Sequence, residues 1–186
     1  MTARRARPKA PGLKADDDLA RMIRVDHAGE YGAVRIYEGQ LAVLKARQGS
    51  GEAVAAIARM AEQEQRHLKT FDAIVNEHRI RPTALEPLWR LAGFSLGAVT
   101  ALMGEKAAMA CTAAVEEVID KHYESQLDSL SSHPELKKTV EEFRADEIAH
   151  RDEALAHGAE QAPGYRLLSE AIKMGCRIAI RLSEHL

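Results

Sequence analysis

Aromatic residues make up only 4% of this 186-residue chain, and it has neither the β-branched runs nor the Asn-Gly turns of an all-β protein. Cysteine is scarcer still. Cys111 and Cys176 sit in apolar surroundings without CxxC spacing, which excludes a disulfide framework and leaves two buried thiols of a reducing compartment as the expectation. Long hydrophobic runs are missing too: the charge-free segment Leu91 to Gly104 has 14 residues, short of the roughly 20 that a spanning helix requires. Charge of one sign is not in excess. A formal charge of -2 and a pI near 6.5 give no reason to expect a nucleic-acid partner, which would normally show a basic domain or stripe. The first residues, MTARRARPKAPG, lack the apolar stretch of a secretory signal, and residues 1–15 read as a disordered basic leader, with a short organelle-targeting segment as the alternative.

What is present is abundant Ala, Leu, Glu, Arg and Lys with 46% apolar residues, the composition of a single all-α domain, residues 16–186. The acidic cluster Asp16-Asp17-Asp18 opens a first helix that runs to about Arg47, Gln48-Gly49-Ser50-Gly51 closes it, and a second helix runs from about Glu52 to Arg79. These form one αα-hairpin, about residues 16–79. A second hairpin, about residues 88–157, has a helix reaching about Leu130, a break at Ser131-Ser132-His133-Pro134, and a return helix from about Glu135 to His157. After Gly158 and Pro163-Gly164 comes an amphipathic C-terminal helix, about residues 165–184.

An internal repeat supports this division. Glu30 opens EYGAVRIYEGQL and Glu116, 86 residues later, opens EEVIDKHYESQL, so both halves read Glu-x6-Tyr-Glu-x-Gln-Leu. Each is followed by ExxH, Glu64 to His67 and Glu147 to His150. Residues three apart share a helix face, so each ExxH directs a carboxylate and an imidazole to one point. One such motif is ordinarily a solvated charged face. The hairpins make the pair more specific: Glu116 stands 15 residues before Ser131 and Glu147 13 after Pro134, level within roughly 3 Å at the α-helical rise. Glu30 and Glu64 match within roughly 6 Å by the same rise. Four glutamates and two histidines suit first-row metals such as iron or manganese and balance two divalent cations, whereas zinc is disfavoured without thiolates or HExxH. One Glu from each of two helices and ExxH from the other two is the generic arrangement of two-metal carboxylate sites in ferritin-like four-helix bundles.

The stretches RMIRVDHAGEYGAVRIYEGQ, EQEQRHLKTF, AGFSLGAVTALMGEKAAMACTAAVEEVIDKHYESQL, FRADEIAHRDEALAHGAE and GCRIAIRLSEHL, spread over nearly all of the chain after the leader, resemble the demethoxyubiquinone hydroxylases of ubiquinone biosynthesis. The resemblance implies a di-iron monooxygenase that hydroxylates the ring of a polyprenyl demethoxyubiquinone with O2. It further implies that Glu30 and His67 hold one iron and Glu116 and His150 the other, with Glu64 and Glu147 bridging. It also implies a homo-oligomer peripheral to a membrane, on the cytoplasmic face in a bacterium or the matrix side of the mitochondrial inner membrane, in some members with a lipid-binding accessory protein. No GxGxxG fingerprint is present, so the reductant comes from outside, as NADH, a reductase or the quinol itself. A ferritin-like iron-binding or storage protein is the alternative.

Around this set, Tyr37 and Tyr123 each follow a ligand Glu by seven residues and share its inward face, as buried tyrosines or as part of a relay; His122 makes the second half the better relay candidate. His27, one turn before Glu30, reads as structural or supporting. Asp146, just before Glu147, is an expected acceptor for a ligand imidazole. On the last helix Lys173, Arg177 and Arg181 form a basic stripe opposite Leu168, Ile172, Ile178 and Leu182, the pattern of a helix lying on an anionic membrane surface.

Overall fold

Asp17 and Asp18 place negative charge at the N-terminus of the first helix, α1 (Asp17–Gln48), and Lys45 and Arg47 place positive charge at its end, both complementing the helix dipole. The computed structural model describes residues 17–48 and 51–185; the expected leader lies outside the described residues. The remaining helices are α2 (Glu52–Glu77), α3 (Glu86–Leu102), α4 (Glu105–Gln126), α5 (Pro134–Ala156) and α6 (Tyr165–His185), with short 3-10 turns at Ser129–Ser132 and Ala159–Gln161. No strand occurs among the described residues, so the all-α expectation holds.

One expectation is corrected. The segment read as a single helix from about residue 88 to Leu130 is two helices, because Gly104 takes φ 119° and ψ 167°, a conformation essentially reserved for glycine, and the chain turns there. The four-helix bundle is therefore α1, α2, α4 and α5. The stretch with no charge becomes α3, a crossover lying along the outside of α1.

Cross-helix contacts fix the directions. Gly93 abuts Gly32, Gly97 abuts Ile36, and Arg47 Nη1 donates to the Leu102 carbonyl at 2.7 Å, so α3 runs parallel to α1. Gln40 Nε2 donates to the Ala108 carbonyl at 3.0 Å, while Gln126 Nε2 donates to Asp26 Oδ1 at 2.6 Å, so α4 runs antiparallel to α1. Helices α2 and α5 are antiparallel as well, joined by Arg59 to Glu153 at one level and Arg66 to Asp146 at another. Within each hairpin the helices pack closely, whereas the two hairpins meet mainly through side chains in the middle.

Those side chains lie between two apolar layers. At one end are Leu44, Val54, Ile57, Met60 and a set of small α4 residues that includes Ala107, Ala108 and Ala110. At the other are Ile23, Phe71, Val75, Leu130, Val140 and Phe143. The last helix, α6, covers α4 and α1 through Ile172, which packs with Ile36, Cys111 and Val115. Both cysteines are free thiols, and burial pushes Cys111 up to about 12 and Cys176 to about 11, so neither is a nucleophile at neutral pH.

The α1–α3 contact is a backbone-to-backbone approach. A Cβ on Gly97 would stand 1.9 Å from the Ile36 carbonyl oxygen, and one on Gly39 2.2 Å from that of Phe94. Gly97→Ala is expected to destabilise the fold by roughly 1–3 kcal/mol through overpacking against backbone that cannot yield. Gly29→Ala, with nothing within 4 Å of its Cβ, is expected to cost nothing or to stabilise slightly. Paired thermal or denaturant melts check this, and equal effects would contradict it.

Candidate metal centre

Glu30 on α1, Glu64 and His67 on α2, Glu116 on α4, and Glu147 and His150 on α5 converge between the apolar layers, none of them more than 2% exposed. They come together because each ExxH lies on the inward face of its helix and the antiparallel hairpins bring the levels into register. Two groups of ligand atoms lie within 4.8 Å of one another: Glu30, Glu64, His67 and Glu147, and Glu64, Glu116, Glu147 and His150. Glu64 and Glu147 belong to both.

The atoms aimed into this space lack conventional partners. His67 Nδ1 is 3.1 Å from Glu147 Oε1 and 3.5 Å from Glu30 Oε2, and His150 Nδ1 is 3.1 Å from Glu64 Oε1 and 3.4 Å from Glu147 Oε2. They are close, but not aligned as hydrogen bonds. Both imidazole Nδ1 atoms, both oxygens of Glu64 and of Glu147, and one oxygen each of Glu30 and Glu116 are buried without a hydrogen-bond partner. Buried polar atoms are normally satisfied, so an inward-facing set of orphans drawn from all six residues fits cation binding.

The electrostatics carry the same signature. Burial, aggravated by neighbouring carboxylates, holds Glu64 and Glu116 well above the usual carboxylate range, and burial pushes Glu147 up to about 7. Burial alone would lower His67, but Glu147 and Glu30 facing it push it up to about 11. These directions favour protonated groups, and a cation bound among them would displace those protons.

The other residues that the sequence singles out fall around it in ways that spacing does not reveal. Tyr37 donates to Glu116 Oε1 at 2.6 Å and Tyr123 donates to Glu30 Oε1, so each tyrosine serves the glutamate of the other hairpin. Seven residues separate a tyrosine from its own helix's glutamate by about 10.5 Å, while the antiparallel partner brings the opposite glutamate level with it. Asp146 Oδ2 receives His67 Nε2 at 3.0 Å, and Gln63, which no motif marks out, receives His150 Nε2 at 3.0 Å through Oε1. The repeat holds the one signal for Gln63: it precedes Glu64 as Asp146 precedes Glu147. His27 stands apart from both groups, with Nε2 on Asp72 Oδ1 at 2.9 Å. His122 contacts Asp26 Oδ1 at 3.1 Å and Gln126 at 2.8 Å.

One flank of the cluster faces a cavity of about 570 Å³ between α1, α3, α4 and α6. Its wall is mostly apolar, with Ile36, Leu96, Val115 and Ile172 among its lining, and it includes Glu30 and Tyr123 of the cluster. Gly29, Gly32 and Gly175 also line it and have nothing within 4 Å of a built Cβ, so missing side chains help to make the space. Helices α3 and α6 barely touch across its outer side, where the Trp89 indole N–H donates to Ser183 Oγ at 3.0 Å.

The outer faces of these two helices correct the place of one residue in the expected basic stripe. Lys173 does not face outward: its side chain is 12% exposed and held by Glu117 at 2.5 Å and Glu170 at 3.4 Å. Ile178 and Leu182, expected opposite the basic stripe, are exposed together with Leu167 and Met174, and α3 exposes Leu88, Leu91, Phe94, Val99 and Leu102. Leu167 reaches 80% exposure and Leu91 68%. Arg177 and Arg181 remain exposed and flank the α6 apolar row at 100° per residue. No helix among the described residues is long and apolar enough to cross a membrane.

The pKa shifts give a pH dependence with a definite sign. A group whose pKa is higher folded than unfolded stabilises the fold below its unfolded value and ceases to do so above its folded value. His67 loses this contribution between 6.5 and about 11, and Glu147 between 4.5 and about 7. The melting temperature of the metal-free protein is therefore expected to fall as pH rises from about 6 to about 9, and Mn(II) is expected to flatten the slope. A metal-free melting temperature that climbs over this window would contradict the arrangement.

Known proteins resemble this chain over most of its length. Residues 17–183 match the family model described as ubiquinone biosynthesis protein COQ7. The chain is 54% identical over 167 residues to the 3-demethoxyubiquinol 3-hydroxylase of Rhodospirillum rubrum, covering 89% of this chain and 77% of that one. It is 50% identical over 171 residues to the human mitochondrial NADPH-dependent 3-demethoxyubiquinone 3-hydroxylase, covering 89% and 77%, and 40% identical over 184 residues to the mitochondrial 5-demethoxyubiquinone hydroxylase of Saccharomyces cerevisiae, covering 90% and 78%. A match over nearly the whole described chain, with identities this high, shows that the chain belongs to the COQ7 family of ubiquinone biosynthesis proteins.

Proposed function

We propose that this protein is a monooxygenase that hydroxylates the ring of a polyprenyl demethoxyubiquinone or its quinol with O2, late in ubiquinone biosynthesis. The observation that carries the reading beyond family membership is the apolar cavity whose wall includes Glu30 and Tyr123 of the buried Glu/His cluster. An iron-storage protein has no use for such a cavity; a lipid-tailed ring does, and the volume lies within the range of small-molecule sites.

Two iron ions are held, in this reading, by Glu30 and His67 at one position and Glu116 and His150 at the other, with Glu64 and Glu147 shared, as the two ligand groups allow. Bound there, the iron pair supplies the dioxygen chemistry that no side chain provides. The protein positions and insulates. Tyr37 and Tyr123 hold one oxygen of Glu116 and of Glu30 by hydrogen bonds, leaving the other oxygen for metal. The apolar wall of α1, α3, α4 and α6 excludes water and presents the quinone ring beside Glu30. His122 lines both this cavity and a polar cleft with Asp18, Arg21 and His133, and Asp26, raised by burial, accepts from it. We assign to His122, Asp26 and Tyr123 the movement of protons between that cleft and the site.

The prenyl tail leaves between α3 and α6, whose exposed leucines and isoleucine, flanked by Arg177 and Arg181, suit a peripheral position on an anionic membrane. That membrane is the cytoplasmic face in a bacterium or the matrix side of the mitochondrial inner membrane. A homo-oligomer, a lipid-binding accessory protein and an external reductant such as NADH complete the reading.

Iron-loaded protein is expected to convert a short-tailed demethoxyquinol to its hydroxylated product under O2 and NADH, with one oxygen atom drawn from O2. Glu64→Ala and Glu147→Ala are each expected to cut turnover by more than the roughly 100-fold typical of losing an outer partner. His122→Asn should slow turnover with iron content unchanged. Stoichiometric iron binding without product, whatever the reductant, would overturn the assignment.

Filling the cavity tests the substrate path separately. Gly175→Leu places a side chain in open space and is expected to leave the melting temperature and iron content near wild type while raising KM for a long-tailed substrate. An unchanged KM would remove the cavity from the path.

A further inference from the structure

The cluster is nearly symmetric between its hairpins, and it departs from symmetry in one charge. Glu30 pairs with Tyr123 and Glu116 with Tyr37, and Glu64 and Glu147 are common to both ligand groups. Each imidazole turns Nδ1 inward and Nε2 toward the residue preceding the shared glutamate of the opposite hairpin. For His67 that residue is Asp146, an anion; for His150 it is Gln63, a neutral amide. The oxygen of Asp146 that receives His67 also takes Arg66 Nη2, and Ala149, the repeat equivalent of Arg66, has no comparable group to offer. The asymmetry is therefore one supported carboxylate against one unsupported amide.

Two physical consequences follow for a cation. A carboxylate only accepts, so it fixes His67 with its proton on Nε2 and its lone pair on Nδ1, directed into the cluster. An amide presents a donor after a half-turn about its terminal torsion, so Gln63 holds the His150 tautomer less firmly. A charge-assisted hydrogen bond is also roughly twice as strong as a neutral one, and donating to an anion makes the inward nitrogen a better ligand. Arg66 is half exposed, so water screens its charge, while the His67 ring is fully buried.

We propose that the two metal positions are unequal by construction: the Glu30–His67 position takes the first divalent ion and the Glu116–His150 position the second, with Asp146 as the positioning residue that sets the order. This rests on the two-metal reading above. It predicts a one-metal form at low metal supply, with its ion on the Glu30–His67 side.

The test is titration of the full-length metal-free protein with Mn(II), followed by calorimetry and electron paramagnetic resonance. Wild type is expected to bind in two steps about 10-fold or more apart, the first giving an isolated Mn(II) signal and the second a spin-coupled pair. Asp146→Asn should weaken the first step by about 10- to 100-fold, bringing the steps together. Gln63→Glu should tighten the second and narrow the gap from the other side, a gain that a merely damaged fold would not produce. His150→Ala should keep the tight first step, and His67→Ala should lose it. A spin-coupled pair formed in wild type with indistinguishable steps, or steps unmoved by Asp146→Asn and Gln63→Glu, overturns the proposal and leaves the two-metal site standing. No coupled pair at two equivalents in wild type overturns both.

Discussion

Four carboxylates buried within a few ångströms of each other are the constraint on which the rest of this molecule depends. Each is at most 1% exposed, and without a cation their desolvation and mutual repulsion can be relieved only by protons. The raised pKa values of Glu64, Glu116 and Glu147 express that cost, and His67 held near 11 expresses the answering attraction. Apolar layers above and below deny the cluster water, and the crossed tyrosine and imidazole hydrogen bonds fix Glu116, Glu30, His67 and His150 around the unpartnered Glu64 and Glu147.

The cluster is nearly symmetric inside, but its surroundings are not. Along the α2–α5 flank, Arg59 pairs with Glu153 and Arg66 with Asp146, closing that side with charge. Toward α3 and α6 the wall is apolar, widened by glycines and continuous with helix faces that leave leucine and phenylalanine exposed. A buried polar site with one apolar approach and one charged back suits a substrate with a redox-active ring and a lipid tail. The extra helices outside the bundle thus account for the direction of access, while the bundle accounts for the site.

Much of the site is legible along the chain because the information is local and repeated. ExxH needs only helical periodicity to place two side chains on one face, and a duplicated hairpin needs only loop positions to bring two such faces level. Asp146 is legible as an imidazole partner by its position beside Glu147, whereas Gln63 is not, since an amide ahead of ExxH carries no distinctive chemistry by itself. The cross-hairpin pairing of the tyrosines is hidden because it depends on helix direction. Lys173 misleads because the stripe it belongs to is real along the sequence, but Glu117 on α4 draws its ammonium group inward.

The sequence by itself determined the all-helical class, the doubled hairpin and the residue types at the centre, since these follow from periodicity, composition and spacing along one chain. Only the tertiary structure decided that residues 86–102 leave the bundle as a separate helix, because the break rests on one glycine at φ 119° and the packing on α1 rests on glycines that admit backbone to backbone. The cavity likewise exists only in three dimensions. It is an absence bounded by four helices distant in sequence, and no local pattern encodes a space that side chains do not fill.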